Sequence, residues 1–307
     1  MHRCFLVLWL LPGLWPGHTA SAQSQPASGS DSPFLVAPSA PSVLTPSFKK
    51  IPRNPDAAAA QLCYDNGWER LRRGDNAGAE AEFSRLIQLL PAFGRGYTSR
   101  ANARRKQQNL AGALADCTQA IAGDPDDPTL YRARALTQML AHRWTEASAD
   151  LQVARIKSTD DNGYLDLSLW IVRMRLGEAE TANERLAAFL DKPSAFDAPG
   201  EWVCQVGRFL LDRETEADLL AGAAKTMASG GSGRRPWFTE KSPGALASRP
   251  DHVNGPLCEA WFYSGMKLLL AGDRAAAAEH FRQCLATKQL TFIEYELAEA
   301  ELRGLEP

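Results

Sequence analysis

The sequence has no surplus of charge of either sign, with 34 Lys and Arg against 36 Asp and Glu in 307 residues. Without a strong basic field, counterion release cannot hold nucleic acid or anionic lipid, so a nucleic-acid binder is not expected. Long apolar runs are missing beyond the extreme N-terminus, which excludes a multi-span membrane protein. Histidine is scarce at 5 residues and cysteine at 6, and no two cysteines have CxxC spacing. A structural zinc site is therefore not expected, and no cofactor is either. Enzymatic signatures are also lacking: there is no G-x-S-x-G, H-E-x-x-H, Walker or dinucleotide motif. Gly230-Gly231-Ser232-Gly233 follows no strand pattern and runs into Arg234-Arg235-Pro236, so it does not read as a phosphate loop. Apolar residues make up 45% of the chain, enough for a sizeable core.

What the chain does contain begins with Met1-His2-Arg3, an apolar block from Phe5 to Trp15, and Ala20-Ser21-Ala22 before Gln23. A cationic start, a short apolar stretch and an A-x-A site describe a secretory signal peptide over 1–22, cleaved after Ala22. The block falls short of the ~20 residues a spanning helix needs, so no stable membrane span is expected. The next segment, 23–56, is rich in Ser, Ala and Pro and has no hydrophobic period. Proline fixes φ and donates no hydrogen bond, so this reads as a disordered tether. Export implies a periplasmic or secreted protein in an oxidising compartment, where disulfides persist. Five cysteines lie beyond the leader: Cys63, Cys117, Cys204, Cys258 and Cys284. An odd number leaves at least one free or pairing between chains.

From Ala57 onward, amphipathic helical segments recur with a period of 34. That offset superposes Gly67, Ala101 and Ala135; Ala79, Ala113 and Ala147; Phe83, Cys117 and Leu151; and it aligns Pro91 with Pro125. Two antiparallel helices approach closely only where small side chains meet, and a large apolar residue must fill the space beside them. Proline then stops the second helix. The pattern, with Tyr97 and Tyr131 at the aromatic slot occupied by Cys63 in the first unit, resembles the tetratricopeptide repeat. It implies an all-α, TPR-like α-solenoid of antiparallel hairpins. Three repeats span 57–160, degenerate helical repeats 161–227, a loop 228–257, and a final hairpin with a capping helix 258–305. Polar residues at slots that are usually apolar, including Arg70, Arg100, Arg104, Arg134 and Gln138, are expected to weaken the individual repeats.

In a solenoid of this kind the first helix of each hairpin lines a concave groove. On the repeat frame the groove-facing positions hold Tyr64, Trp68 and Arg72 in the first unit. The second contributes Arg95, Asn102, Arg105 and Lys106, and the third Arg132, Leu136 and Met139. Aromatic side chains beside guanidinium groups suit a protein or peptide partner. Cys258 opens one helix of the last hairpin and Cys284 lies near the end of the other, so a disulfide between them is possible and paired free thiols are the alternative. His280 stands four residues before Cys284, but Cys284 occupies a packed slot of the repeat, which argues against a nucleophile and base.

The C-terminal half is similar to the periplasmic TPR lipoproteins that serve as adaptors of peptidoglycan hydrolases. The resemblance is carried by Ser168-Leu169-Trp170, Trp202 through Leu211, Glu259 through Gly265, and Phe292-Ile293-Glu294-Tyr295. It implies non-catalytic docking of envelope enzymes. The chain departs from that pattern by having no cysteine directly after its apolar block to carry a lipid. Two other readings stay open: a hydrolase with a site in 228–256 using Arg234, Arg235 or His252, and a structural homo-oligomer.

Overall fold

The computed structural model describes residues 56–158, 163–192, 202–228, 254–290 and 292–306. The leader, the tether and residues 229–253, with Arg234, Arg235 and His252, lie outside these. The described residues form thirteen α-helices and no strand. They run as α1 (Ala57–Arg72), α2 (Asn76–Leu89), α3 (Gly94–Lys106), α4 (Leu110–Gly123), α5 (Pro128–Leu140), α6 (Trp144–Lys157), α7 (Tyr164–Arg175) and α8 (Ala179–Leu190). Then follow α9 (Trp202–Leu210), α10 (Glu216–Ala228), α11 (Gly255–Leu270), α12 (Arg274–Ala286) and α13 (Ile293–Leu305). Successive pairs from α1/α2 to α11/α12 pack as hairpins, and neighbouring hairpins stack, giving an all-α solenoid. None of these helices is long and apolar enough to cross a membrane.

The repeated turn follows from backbone chemistry. The first helix of a hairpin ends in a left-handed residue, at Gly74 (φ 78°), Gln108 (62°), His142 (55°), Gly177 (79°) and Gly272 (88°). In three hairpins the next residue then caps the second helix. Asp75, Asn109 and Asp273 accept hydrogen bonds from the backbone N–H of Gly78, Gly112 and Ala276. Glycine tolerates positive φ without a Cβ clash, whereas Gln108 and His142 adopt it at a cost. Inside each hairpin the small residue is sized by its large partner. A Cβ on Gly265 would come within 2.7 Å of the Phe281 ring, and one on Gly67 would overlap Phe83. Both phenylalanines are fully buried.

The arginines in normally apolar slots meet carboxylates on the facing helix. Arg100 forks onto Asp116 at 2.7 and 3.0 Å, and Arg134 onto Asp150 at 2.7 Å through both nitrogens. The two pairs occupy equivalent places 34 residues apart and tie the first helix of a repeat to its second. Arg104 extends the first pair by binding Asp116 at 2.9 Å and Glu80 of the preceding hairpin at 2.7 Å. Each carboxylate is almost fully buried and meets its guanidinium through directed, charge-assisted bonds.

The largest core cluster begins at Ala135 and continues through α6 to α13. The terminal helix covers the last hairpin, as expected of a cap, and also reaches further. Besides packing on α11 and α12 it lies against α5, and its glutamates reach α3 and α7. The solenoid therefore curls far enough for its last helix to meet the inner face of its early repeats.

Candidate partner-binding surface

The inner face is built by α1, α3, α5 and α7. Its C-terminal edge is covered by α13. The Arg105 side chain is only 1% exposed, and its Nε donates to Glu296 Oε2 at 3.2 Å. Lys106 Nζ lies 2.9 Å from the other Glu296 oxygen and donates to the Leu290 carbonyl. Burial opposes ionisation of Glu296, but the Lys106 and Arg105 charges outweigh it and hold its carboxyl below the ordinary value. Further along α13, Glu301 pairs with Arg175 of α7, whose guanidinium sits 4.9 Å from the Trp144 ring centre.

This arrangement corrects the groove drawn from the repeat frame. Arg105 and Lys106 are engaged by α13 and are not open to a partner. Asn102, Arg132, Leu136 and Met139 are buried, because the neighbouring helices leave no room above them. Tyr64 is also buried, in edge contacts with Trp68, Phe83 and Phe93 at 6.2 to 6.3 Å. What stays partly exposed on this face is Trp68 and Arg72 of α1 and Arg95 of α3. Trp68 is held edge-on to Phe83, and Arg72 is steadied by Glu69 at 2.6 Å. A separate recess of about 170 Å³, which none of these three lines, is bounded by Leu71, Arg105, Lys106, Leu290, Tyr295 and Glu299.

A second cluster went unread in the sequence. Glu259, on α11, is fully buried, and its Oε2 accepts from Trp202 Nε1 at 2.7 Å and from the Tyr164 hydroxyl at 3.1 Å. Glu294 of α13 is buried nearby and accepts from Tyr263. Burial, then the charge of Glu294, pushes the Glu259 carboxyl well up, and burial pushes Glu294 up to about 7. Glu259 lies within the apolar run Cys258-Glu259-Ala260-Trp261-Phe262, and a lone acid in such a run is the one sign the sequence offers.

The thiols and His280 turn to different neighbours. Cys258 and Cys284 are buried with their sulfurs 3.4 Å apart, as thiols. His280 instead places Nε2 2.7 Å from Glu216 and its ring against Trp261. Burial raises the Cys284 thiol well above its ordinary value and pushes Cys117 up to about 11, the reverse of an activated nucleophile.

No family model matches the chain. Solved structures that it is similar to include PilW, titled a widely conserved type IV pilus biogenesis factor, at 14% identity and TM-score 0.44, covering 74% of this chain and 93% of that one. A tetratricopeptide repeat protein from Parabacteroides merdae gives 15% identity and TM-score 0.40 over 80% of this chain and 99% of that one. YrrB, titled a TPR protein with an unusual peptide-binding site, gives 15% and 0.36 over 69% and 95%. The fold assignment rests on the hairpins described above.

Proposed function

We propose that the chain is a non-enzymatic scaffold that binds protein or peptide partners through the α1–α3 end of its inner face, and that it does so in the cell envelope after export and cleavage at Ala22. The observation that carries the binding reading is the partial exposure of Trp68, Arg72 and Arg95, while Arg105 further along the same face is engaged by α13. An aromatic ring and guanidinium groups, partly exposed on first helices of neighbouring hairpins, supply apolar area and forked donors, the side-chain types in which binding energy concentrates. The order of elements in the C-terminal half supports envelope enzymes as partners, and the leader-like N-terminus supports export.

A photo-crosslinking residue placed at Arg95 in intact cells tests this reading. Adducts are expected there, and the double variant Trp68→Ala/Arg95→Glu should lose partner capture while keeping its helical circular dichroism. Undiminished capture by that folded variant would refute the inner-face reading. N-terminal sequencing of the protein from the envelope fraction should begin at Gln23, and an intact Met1 in a cytosolic fraction would overturn export. Charge reversal at Arg105 is no test, since it breaks an internal ion pair.

A further inference from the structure

A cavity lies on a different surface. The α6, α7 and α8 helices bound a cavity of about 380 Å³, within the size range of ligand sites. Leu169, Trp170 and Phe189 make its floor, and the Trp170 ring is fixed because its Nε1 donates to Asn183 at 2.8 Å. Ile156, on the wall, is 84% exposed, the most of any large apolar side chain among the described residues. Among the described residues, four cationic side chains, Arg155, Arg173, Arg185 and Lys192, and one acid, Asp166, line the cavity.

That local excess of positive charge occurs in a protein whose overall formal charge is −2. Asp166 lies 3.5 Å from Arg155, and the acid nearest Arg173 is Glu178 at 3.9 Å, too long for a direct hydrogen bond. The Arg173 side chain is only 9% exposed. Burial and then the like charge of Arg185 disfavour its protonated form, and an anion held beside it would favour that form.

We propose that this cavity docks an acidic peptide segment of a partner protein, with one apolar side chain seated over Trp170 and Phe189 and flanking carboxylates meeting Arg173 and Arg185. Guanidinium groups bind carboxylates through two parallel donors, and the apolar floor excludes competing water. The site does not include Trp68, Arg72 or Arg95, so it stands or falls separately from the inner-face reading.

An array of immobilised seven-residue peptides, probed with the full chain at low salt, tests the proposal. Peptides with Asp or Glu on both sides of Leu or Phe should be retained at least about tenfold more than the same peptides with Gln or Lys at the acidic positions, a difference that fades as salt rises. Arg185 is exposed, so Arg185→Glu should leave the fold intact by circular dichroism while abolishing the preference. Ile156→Ser should weaken retention several-fold, and Arg95→Glu should leave it unchanged. No preference for acidic peptides, an unchanged preference in Arg185→Glu, or loss in Arg95→Glu alone would each overturn the assignment. So would a concentration-dependent dimer that Arg185→Glu dissolves, which would give the cavity to a second copy of the chain.

Discussion

At the scale of single residues, the buried acids set the most distinctive behaviour. Glu294 titrates in the folded chain at about 7 against an ordinary value of 4.5, so folding binds its proton more tightly than the unfolded chain does. The stabilising effect of that proton is complete below about pH 4.5 and is lost as pH rises through 7, at roughly 1.4 kcal/mol per unit between the two values. Glu259 contributes with the same sign. Glu294→Gln should therefore be more stable than the parent at pH 8 and show little gain at pH 4, as read by urea melts at both values. Equal gains at the two values would mean that ionisation is not the cause. The thiols make another residue-scale prediction. Cys258 and Cys284 need only close from 3.4 Å to the ~2.05 Å of a disulfide. We infer that export into an oxidising compartment joins them, each sulfur giving up a proton and one electron to a small-molecule disulfide. The intact mass of envelope protein should then be about 2 Da below the dithiol value, and alkylation without reductant should miss both residues.

At the scale of elements, the hairpin turn is the unit that repeats. Its left-handed position holds glycine in α1/α2, α7/α8 and α11/α12, but Gln108 and His142 in the second and third hairpins. Gln108→Gly should remove that strain and raise stability by about 0.5 to 1 kcal/mol, seen as a higher Tm with unchanged m-value. A drop in Tm would mean that the extra freedom of glycine in the unfolded chain outweighs the relief. The alternation of small and large residues that built this reading, Gly67 with Phe83 and Gly265 with Phe281, is local: each pair lies 16 residues apart within one hairpin. The arginine forks were open to the same kind of reading, since Arg100 and Asp116 repeat at Arg134 and Asp150. The pairing was not read because the carboxylate partner lies on the facing helix, 16 residues away.

At the scale of the whole molecule, α13 links the last hairpin to the second, third and fourth. Its glutamates bind Arg105, Lys106 and Arg175, while Leu297 and Leu302 join the common core. Truncation after Lys288 should raise amide exchange in α3, α5 and α7 as well as in α11 and α12, although the first group lies more than 100 residues away in sequence. Faster exchange confined to α11 and α12 would mean that α13 is only a cap. The sequence by itself determined the helical hairpins, their period and their stacking, because those depend on contacts within about one repeat length. Only the tertiary structure decided which part of the inner face is open and which acids are buried. Curvature accumulates over many repeats, and the meeting of Arg105 with Glu296 across 191 residues leaves no periodic mark in one chain.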